Sequence, residues 1–168
     1  MIFADDQDVQ DYVGPVRKRT DILDTEHPVT IGSYMNEPDL INNKYQLHEA
    51  MEQALNEIEP LFEEFEELSG RPQHRVETYR AEDAAVVIFA LGSTFHTLKE
   101  AVDQLRKEGI EAGAATLTMI RPFPKAKLIE KIAHAQTLII LDRQDSYGAQ
   151  GGNMSLEIRA ALQEAKLD

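Results

Sequence analysis

Hydrophobic and polar positions divide the chain into three stretches. In residues 1–36 neither a helical nor a strand period persists, because aspartates alternate irregularly with glycines and prolines. Only the run VTI at 29–31 has strand character. We therefore predict an irregular arm or linker over residues 1–36, followed by a folded domain over residues 37–168.

Residues 37–69 carry apolar side chains at alternating steps of four and three, which predicts one long helix. Glutamates cover its other faces, and Gly70 is a natural stop. Pro60 cannot donate to the Asn56 carbonyl, so we expect a kink or a division there. We expect the apolar seam to be largely buried, against the sheet or a neighbouring subunit. The seam consists of Leu47, Met51, Ala54, Ile58, Leu61, Phe65 and Leu68.

The remaining hundred residues alternate between strand and helix patterns. Strands are predicted at 74–79, 84–91, 112–119 and 137–141, and helices near 94–109, 125–135 and 153–165. The run at 84–91 is continuously apolar, which is typical of a strand buried on both faces, and we predict a further buried strand at 137–141. This alternation predicts an α/β domain of three layers with a mainly parallel sheet.

Charge and composition narrow the classes of partner. The formal net charge of −13 disfavours nucleic acid, because an acidic surface repels phosphates. No apolar run approaches the ~20 residues that span a bilayer, and the first residues lack the features of a signal peptide. The chain has no cysteine, hence no disulfide, thiolate nucleophile or cysteine-bound cluster. We expect a cytoplasmic protein that binds neither nucleic acid nor membrane.

Three segments follow predicted strands at the edge where open parallel sheets bind ligands. Free amides at Thr94 and Phe95 fit an anion at a helix N-terminus, and Ser93 or Thr94 is placed to cap that helix. We interpret this edge mainly as a docking edge. Its candidate residues are Gly92, Ser93, Thr94, Arg121, Asp142, Arg143, Gly148, Gly151 and Gly152.

The chemical motifs at this edge are incomplete. The glycine loop has neither the G-x-G-x-x-G nor the G-x-x-x-x-G-K-[ST] spacing, so we favour a tight turn over a phosphate cradle. Asp142 and Arg143 are either an acid–base pair or, as we favour, a structural ion pair. The five histidines lack chelating spacing, and no serine lies in a G-x-S-x-G elbow. The residues assign no catalytic, cofactor-binding or metal-binding position.

Several short motifs between residues 36 and 160 nevertheless carry a family resemblance. Their order and spacing resemble the second domain of the alpha subunit of pyruvate:ferredoxin oxidoreductase and related 2-oxoacid:ferredoxin oxidoreductases. The motifs are YQ at 45–46, HEAM at 48–51, YRAEDA at 79–84, ALGS at 90–93, KEAVD at 99–103, LRKEG at 105–109, RPFP at 121–124, DR at 142–143 and GAQGG at 148–152. In the arm, Asp24, the run HPVT at 27–30 and Gly32 resemble the linker before that domain.

The resemblance implies a fold like the C-terminal domain of transketolase. It also implies a complex that oxidatively decarboxylates a 2-oxoacid on thiamine diphosphate, forms an acyl-CoA and reduces ferredoxin. That complex uses Mg and iron–sulfur clusters and has several subunits. The cofactors belong to other domains, and the family's first domain is expected before residue 1, on the same or a separate chain.

Two functions follow from the sequence. The first is a non-catalytic assembly domain of the oxidoreductase complex, inactive alone and partnered by other domains or subunits in an oligomer. The alternative is an independent α/β domain that binds a phosphate or nucleotide in the crevice at the strand edge. The missing phosphate motifs favour the first.

Overall fold

The structure, a computed structural model, describes residues 5–15, 24–28, 32 and 34–165. The run at 29–31 with predicted strand character lies outside these residues. The chain separates into two units, residues 1–50 and 51–168. The predicted domain boundary between residues 36 and 37 is not tested by this division and stays a prediction.

The first unit contains a helix that the hydrophobic pattern did not predict. Helix α1 spans Asp6–Val13, within the stretch that we expected to be irregular. The Asp5 side chain accepts the Gln7 N–H at 2.9 Å, and acidic residues in the first turn complement the helix dipole. Gly14, with φ of 74°, ends the helix. Because α1 has no buried residue, capping rather than an apolar period specifies it, and the irregular assignment was wrong here.

Helix α2 spans Asp39–Ser69 and continues through Pro60. Of the two outcomes expected at Pro60, the structure excludes the division, and the kink stays a prediction. Asn56, whose carbonyl loses its helical partner, is exposed, so water can satisfy that oxygen. Within the described ranges, no helix combines the length and apolarity needed to cross a bilayer.

A four-stranded sheet forms the centre of the second unit. Its strands are β1 (Val76–Tyr79), β2 (Val86–Ala90), β3 (Ala112–Leu117) and β4 (Thr137–Leu141), in the order β1-β3-β2-β4. The β3-β2 and β2-β4 pairs are parallel, and β1 is antiparallel to β3. The helices are α3 (Thr94–Lys107), α4 (Lys125–Ile132) and α5 (Asn153–Ala165).

Apolar helix faces cover both sides of this sheet. Helix α3 buries Phe95, Leu98 and Val102 in a cluster with sheet alanines. On the opposite face, Leu128 of α4 and Ile158 of α5 belong to a cluster with alternate residues of the same strands. Two separate clusters on two faces confirm the predicted three-layer α/β domain with a mainly parallel sheet.

Strand β4 is an edge strand and not the buried strand that its apolar run predicted. Ile139 and Leu141 are 43% and 45% exposed. Ile139 is aligned with Ile88 on the face that α3 covers. Since α3 packs over β3 and β2, this part of β4 remains open. A continuous apolar run therefore did not distinguish a central strand from an edge strand.

The predicted burial of the α2 seam against the sheet was wrong, since α2 contains no buried residue, and burial against a neighbouring subunit stays a prediction. Leu61 and Leu68, like Leu47 in the first unit, are exposed. In residues 51–69 the half-buried apolar positions are Met51, Ala54, Leu55, Ile58, Phe62 and Phe65. Leu55 and Phe62 thus replace Leu61 and Leu68 on the less exposed side.

Candidate functional site

The candidate site is a crevice between the carboxyl ends of β2 and β4. It has a volume of about 310 Å³. The loop after β2 leads to α3 on one face of the sheet, and the loop after β4 leads to α5 on the other. This divergence is the arrangement at which open α/β sheets bind ligands. The crevice is lined by Leu91, Thr94, Leu141, Asp142, Arg143 and Gln144, so it includes three of the predicted edge residues.

The Asp142 carboxylate is directed at the first turn of α5. Its Oδ2 accepts the N–H of Met154 at 2.9 Å and that of Ser155 at 3.4 Å, and its Oδ1 accepts the Gln144 N–H at 3.3 Å. A carboxylate at a helix N-terminus satisfies amides that lack an intrahelical partner and complements the helix dipole. Asp142 therefore occupies the position where a bound anion would otherwise be stabilised.

The predicted pair between Asp142 and Arg143 is absent. Among the described residues, no ion pair joins their side chains, and Arg143 is exposed. Both carboxylate oxygens of Asp142 accept backbone N–H groups instead. The predicted ion pair was therefore wrong, because Asp142 contacts the first turn of α5, twelve and thirteen residues further along the chain.

The glycine loop forms a tight turn, as we favoured. Gly148 and Gly151 have φ of 82° and 130°, which side chains rarely adopt. Gly152 is required for a different reason. A Cβ at Gly152 would overlap the Asp142 carboxylate and the Gln144 carbonyl oxygen. The loop glycines therefore allow Asp142 to reach α5.

The N-terminus of α3 offers less to an anion than the sequence predicted. Ser93 is at the N-cap position, but its side chain makes no capping hydrogen bond. The Phe95 N–H donates to the Gly92 carbonyl oxygen at 3.1 Å, so it is not a free amide. The predicted pair of free amides at Thr94 and Phe95 was wrong for Phe95, because a tight turn at Gly92 consumes that donor.

Arg121 does not line the crevice. Its guanidinium forms an ion pair with Glu157 on α5 and donates to the Ile120 carbonyl oxygen at 2.9 Å. Arg121 therefore ties the connection between β3 and α4 to helix α5. Of the nine candidate edge residues, the structure brings Thr94, Asp142 and Arg143 together, with Gly92 and Ser93 directly before Thr94.

A second polar network lies around α3, and no sequence motif predicted it. Arg106 donates to both carboxylate oxygens of Asp83, at 3.0 and 2.6 Å, to the Ala112 carbonyl at 2.6 Å and to the Arg80 carbonyl at 2.8 Å. The hydrogen bonds from Arg106 hold the pKa of the Asp83 carboxyl below its ordinary value. Arg106 thus links helix α3 to the segment between β1 and β2, which lies more than twenty residues earlier in the chain.

Asp103 forms the other half of this network. It accepts from Arg80 Nη1 at 2.7 Å and from the Tyr79 hydroxyl at 3.0 Å. Hydrogen bonds from Arg80 and then Tyr79 lower the pKa of Asp103, and the same carboxylate raises the pKa of Tyr79. No spacing rule links these residues, because their contact depends on how α3 packs beside β1. The described residues contain no group of three or more side chains able to hold a metal ion.

Comparison with known proteins shows which family the chain is similar to. The family model described as pyruvate:ferredoxin oxidoreductase core domain II matches residues 84–168. The chain is 42% identical to the pyruvate synthase subunit PorA of Thermotoga maritima, over 88% of this chain and 38% of that subunit. It is 35% identical to PorA of Methanosarcina barkeri, over 96% of this chain and 40% of that subunit.

A relative named for a different 2-oxoacid has a comparable sequence identity to the chain. The ketoisovalerate oxidoreductase subunit VorA of Pyrococcus horikoshii is 36% identical, over 92% of this chain and 39% of that subunit. The chain spans about two fifths of the length of the curated relatives it matches. Among solved structures, the alpha chain of a "probable 2-oxoacid ferredoxin oxidoreductase" from Thermoplasma acidophilum is 24% identical, with a TM-score of 0.26, over 45% of this chain and 64% of that chain.

Proposed function

Because the chain belongs to the pyruvate:ferredoxin oxidoreductase core domain II family, we propose that it is an assembly domain of a 2-oxoacid:ferredoxin oxidoreductase. The complex oxidatively decarboxylates a 2-oxoacid with thiamine diphosphate, forms an acyl-CoA and reduces ferredoxin. This domain acts in the cytoplasm, supplies no catalytic residue, and positions the partner domains or subunits that do.

The observation that carries this proposal is the use of Asp142 within the fold. The crevice is the place where an open α/β sheet would hold a ligand, and Asp142 is its acidic side chain. That carboxylate is committed to three backbone N–H groups. A general base must reach a substrate proton, and Asp142 is instead held against α5.

The cofactors of such a complex do not fit the residues of this chain. Iron–sulfur clusters are held by cysteine thiolates, and the chain has no cysteine. A diphosphate is held by several amides and cations together, and Asp142 already fills the amides at the start of α5, which leaves Arg143 as the one cation among the described residues of the crevice lining. We therefore derive no catalytic step through thiamine diphosphate, CoA, Mg or a cluster in this domain.

The substrate is proposed only as a class. The similar proteins are named for pyruvate and for ketoisovalerate, both of which are 2-oxoacids. The crevice of this domain supports no choice between them, because substrate contacts belong to the partner domains in this proposal.

Reconstitution tests the proposal. The other parts of the oxidoreductase are produced with and without this chain, and assembly is measured by light scattering and activity by 2-oxoacid-dependent reduction of ferredoxin. We expect no turnover by the purified chain, and assembly and turnover of the other parts only when the chain is present. Turnover by the chain alone, or full assembly without it, would contradict an assembly role.

One variant separates docking from chemistry at the crevice. Arg143→Glu reverses an exposed charge and should weaken assembly while leaving the fold intact, with Lys107→Glu at the end of α3 as the matched control. Normal assembly with lost turnover would instead place the crevice in the active site. A thermal shift with nucleotides, but not with thiamine diphosphate or CoA, would favour the independent ligand-binding function.

A further inference from the structure

The edge of the sheet opposite β4 has outward-facing backbone groups without a strand partner among the described residues, and a groove with two lysines lies beside it. We propose that β1 binds an extended, acidic segment of a partner subunit, which adds to the sheet as a further strand. The proposal deepens the assembly function and rests on it, since it names the surface and the chemistry of one partner.

The register of β1 shows which backbone groups are available. The Thr118 N–H donates to the Arg75 carbonyl oxygen at 3.2 Å, and Val76 is aligned with Leu117. In an antiparallel ladder, hydrogen-bonded residues alternate with residues whose N–H and C=O point away from the neighbour. The backbone of Val76 and Thr78 therefore points outward, and no backbone partner for it occurs among the described residues. Thr78 is half-buried and accessible, whereas Val76 is only 4% exposed, so an added strand has to displace the side chains that cover Val76. Such an edge accepts an added strand.

A groove of about 390 Å³ runs along this edge, between β1 and side chains of α2 and α4. Its lining includes Val76 and Thr78, whose backbone groups face outward, together with Lys127 and Lys131. Val76 packs in the same cluster as Leu128 and Ile132, so the two lysines lie on the face of the sheet that α4 covers. The groove thus combines a strand edge with cationic side chains.

The carboxylates of the groove are already paired. Glu59 forms an ion pair with Arg75, and Glu77 forms one with Lys99 at 2.8 Å. Lys127 pairs with Glu130 one turn away on α4, whereas no ion pair of Lys131 occurs among the described residues. Three cations against two carboxylates leave the lining with one net positive charge, although the whole chain carries −13. At physiological salt, charges more than ~8 Å away are largely screened, so the nearby lysines decide which segment binds.

These features define the sequence pattern of the partner segment. Successive side chains of an added strand point to opposite faces of the sheet. The positions on the α4 face would approach Lys127 and Lys131, so we expect Asp or Glu at alternate positions. On the other face, beside Glu77 and Lys99, uncharged residues such as Thr or Val fit best.

Binding is tested on the full chain with a synthetic peptide of alternating Glu and Val residues. Fluorescence polarisation gives its affinity, and amide NMR gives its location. We expect chemical-shift changes at Val76 and Thr78 and slower hydrogen exchange of the Thr78 N–H, which is the more accessible of the two. The double variant Lys127→Glu with Lys131→Glu should weaken binding about tenfold. Lys107→Glu, on α3, is the control and should change it less than twofold.

Two control peptides separate backbone pairing from charge. A peptide with Lys in place of Glu tests the charge, and one with N-methyl groups on alternate amides tests strand addition. Both should bind at least tenfold more weakly. Equal binding of the acidic and basic peptides, shifts centred on β4 instead of β1, or no binding would overturn this proposal. If assembly in the reconstitution still depends on the chain, the assembly function stands without this surface.

Discussion

Helix α2 and the sheet of the second unit carry apolar patterns of similar regularity, but they differ in burial. The sheet and its helices contain residues such as Phe89 and Ile158 with no exposed surface, whereas α2 buries none of its side chains. A helical period therefore specifies a helix without specifying what covers it. Burial depends on whether neighbours surround the apolar side, as α4 and α5 do for β2.

The largest expected difference comes from one substitution made in both regions. Phe89→Ala empties a fully buried position and should lower the free energy of unfolding by about 3–5 kcal/mol. Phe65→Ala on α2 removes a half-buried ring that lies 5.5 Å from the Arg71 guanidinium, and should cost about 1–2 kcal/mol. Urea unfolding of both variants measures the difference. Equal losses would mean that α2 is covered as fully as the sheet.

The second comparison concerns two glycines, one in each region. Gly152→Ala places a methyl group against the Asp142 carboxylate and disturbs the cap on α5, so we expect a loss of about 2–3 kcal/mol. Gly70→Ala at the end of α2 meets no atom within 4 Å, and only its φ of 63° opposes the change. That strain costs about 1 kcal/mol.

Thermal and urea unfolding distinguish these two costs. If Gly152→Ala lowers the free energy of unfolding no more than Gly70→Ala does, the loop can move away from α5. Asp142 is then not held in place by close packing. Asp142→Asn made beside Gly152→Ala then reports whether the capping hydrogen bonds account for the loss.

These contrasts show which parts of the fold were accessible from sequence. The strands and helices of residues 74–165 were predicted because local apolar periods decide them, and β4 matches its predicted bounds of residues 137–141. Helix α1 was missed because it depends on the cap at Asp5 rather than on a period. The exposure of Ile139 was missed because it depends on where α3 lies, which no local pattern encodes.

The position of the candidate site in the fold was predicted from the sequence, but the contacts of its side chains were not. The carboxyl ends of parallel strands located the crevice with Thr94, Asp142 and Arg143. The pairing of Asp142 with α5 was not accessible, since it requires the loop conformation that Gly148, Gly151 and Gly152 allow. The one signal in the sequence was Gly152, directly before a predicted helix, since a glycine there allows the Asp142 side chain to approach the backbone closely.

The smallest expected effect compares carboxylates of the two regions as a function of pH. The pKa of Asp83 is lowered by its hydrogen bonds from Arg106, so the folded state favours the charged carboxylate. Its contribution to stability is full above the unfolded value near 3.8 and is lost as pH falls through the lower folded pKa. Asp83→Asn should therefore be less stable than the parent at pH 7, and the two should converge as pH falls below 3.8 and through the lower folded pKa of Asp83. On α2, Glu63→Gln should be neutral or slightly stabilising at pH 7, because Glu63 and Glu67 are like charges one turn apart. Urea midpoints across pH 2.5–7 measure the difference in stability between each variant and the parent.

A difference for Asp83→Asn that stays constant down to the lowest pH would mean that the ion pair with Arg106 does not contribute to stability. Packing and backbone hydrogen bonds alone would then hold α3 beside β1.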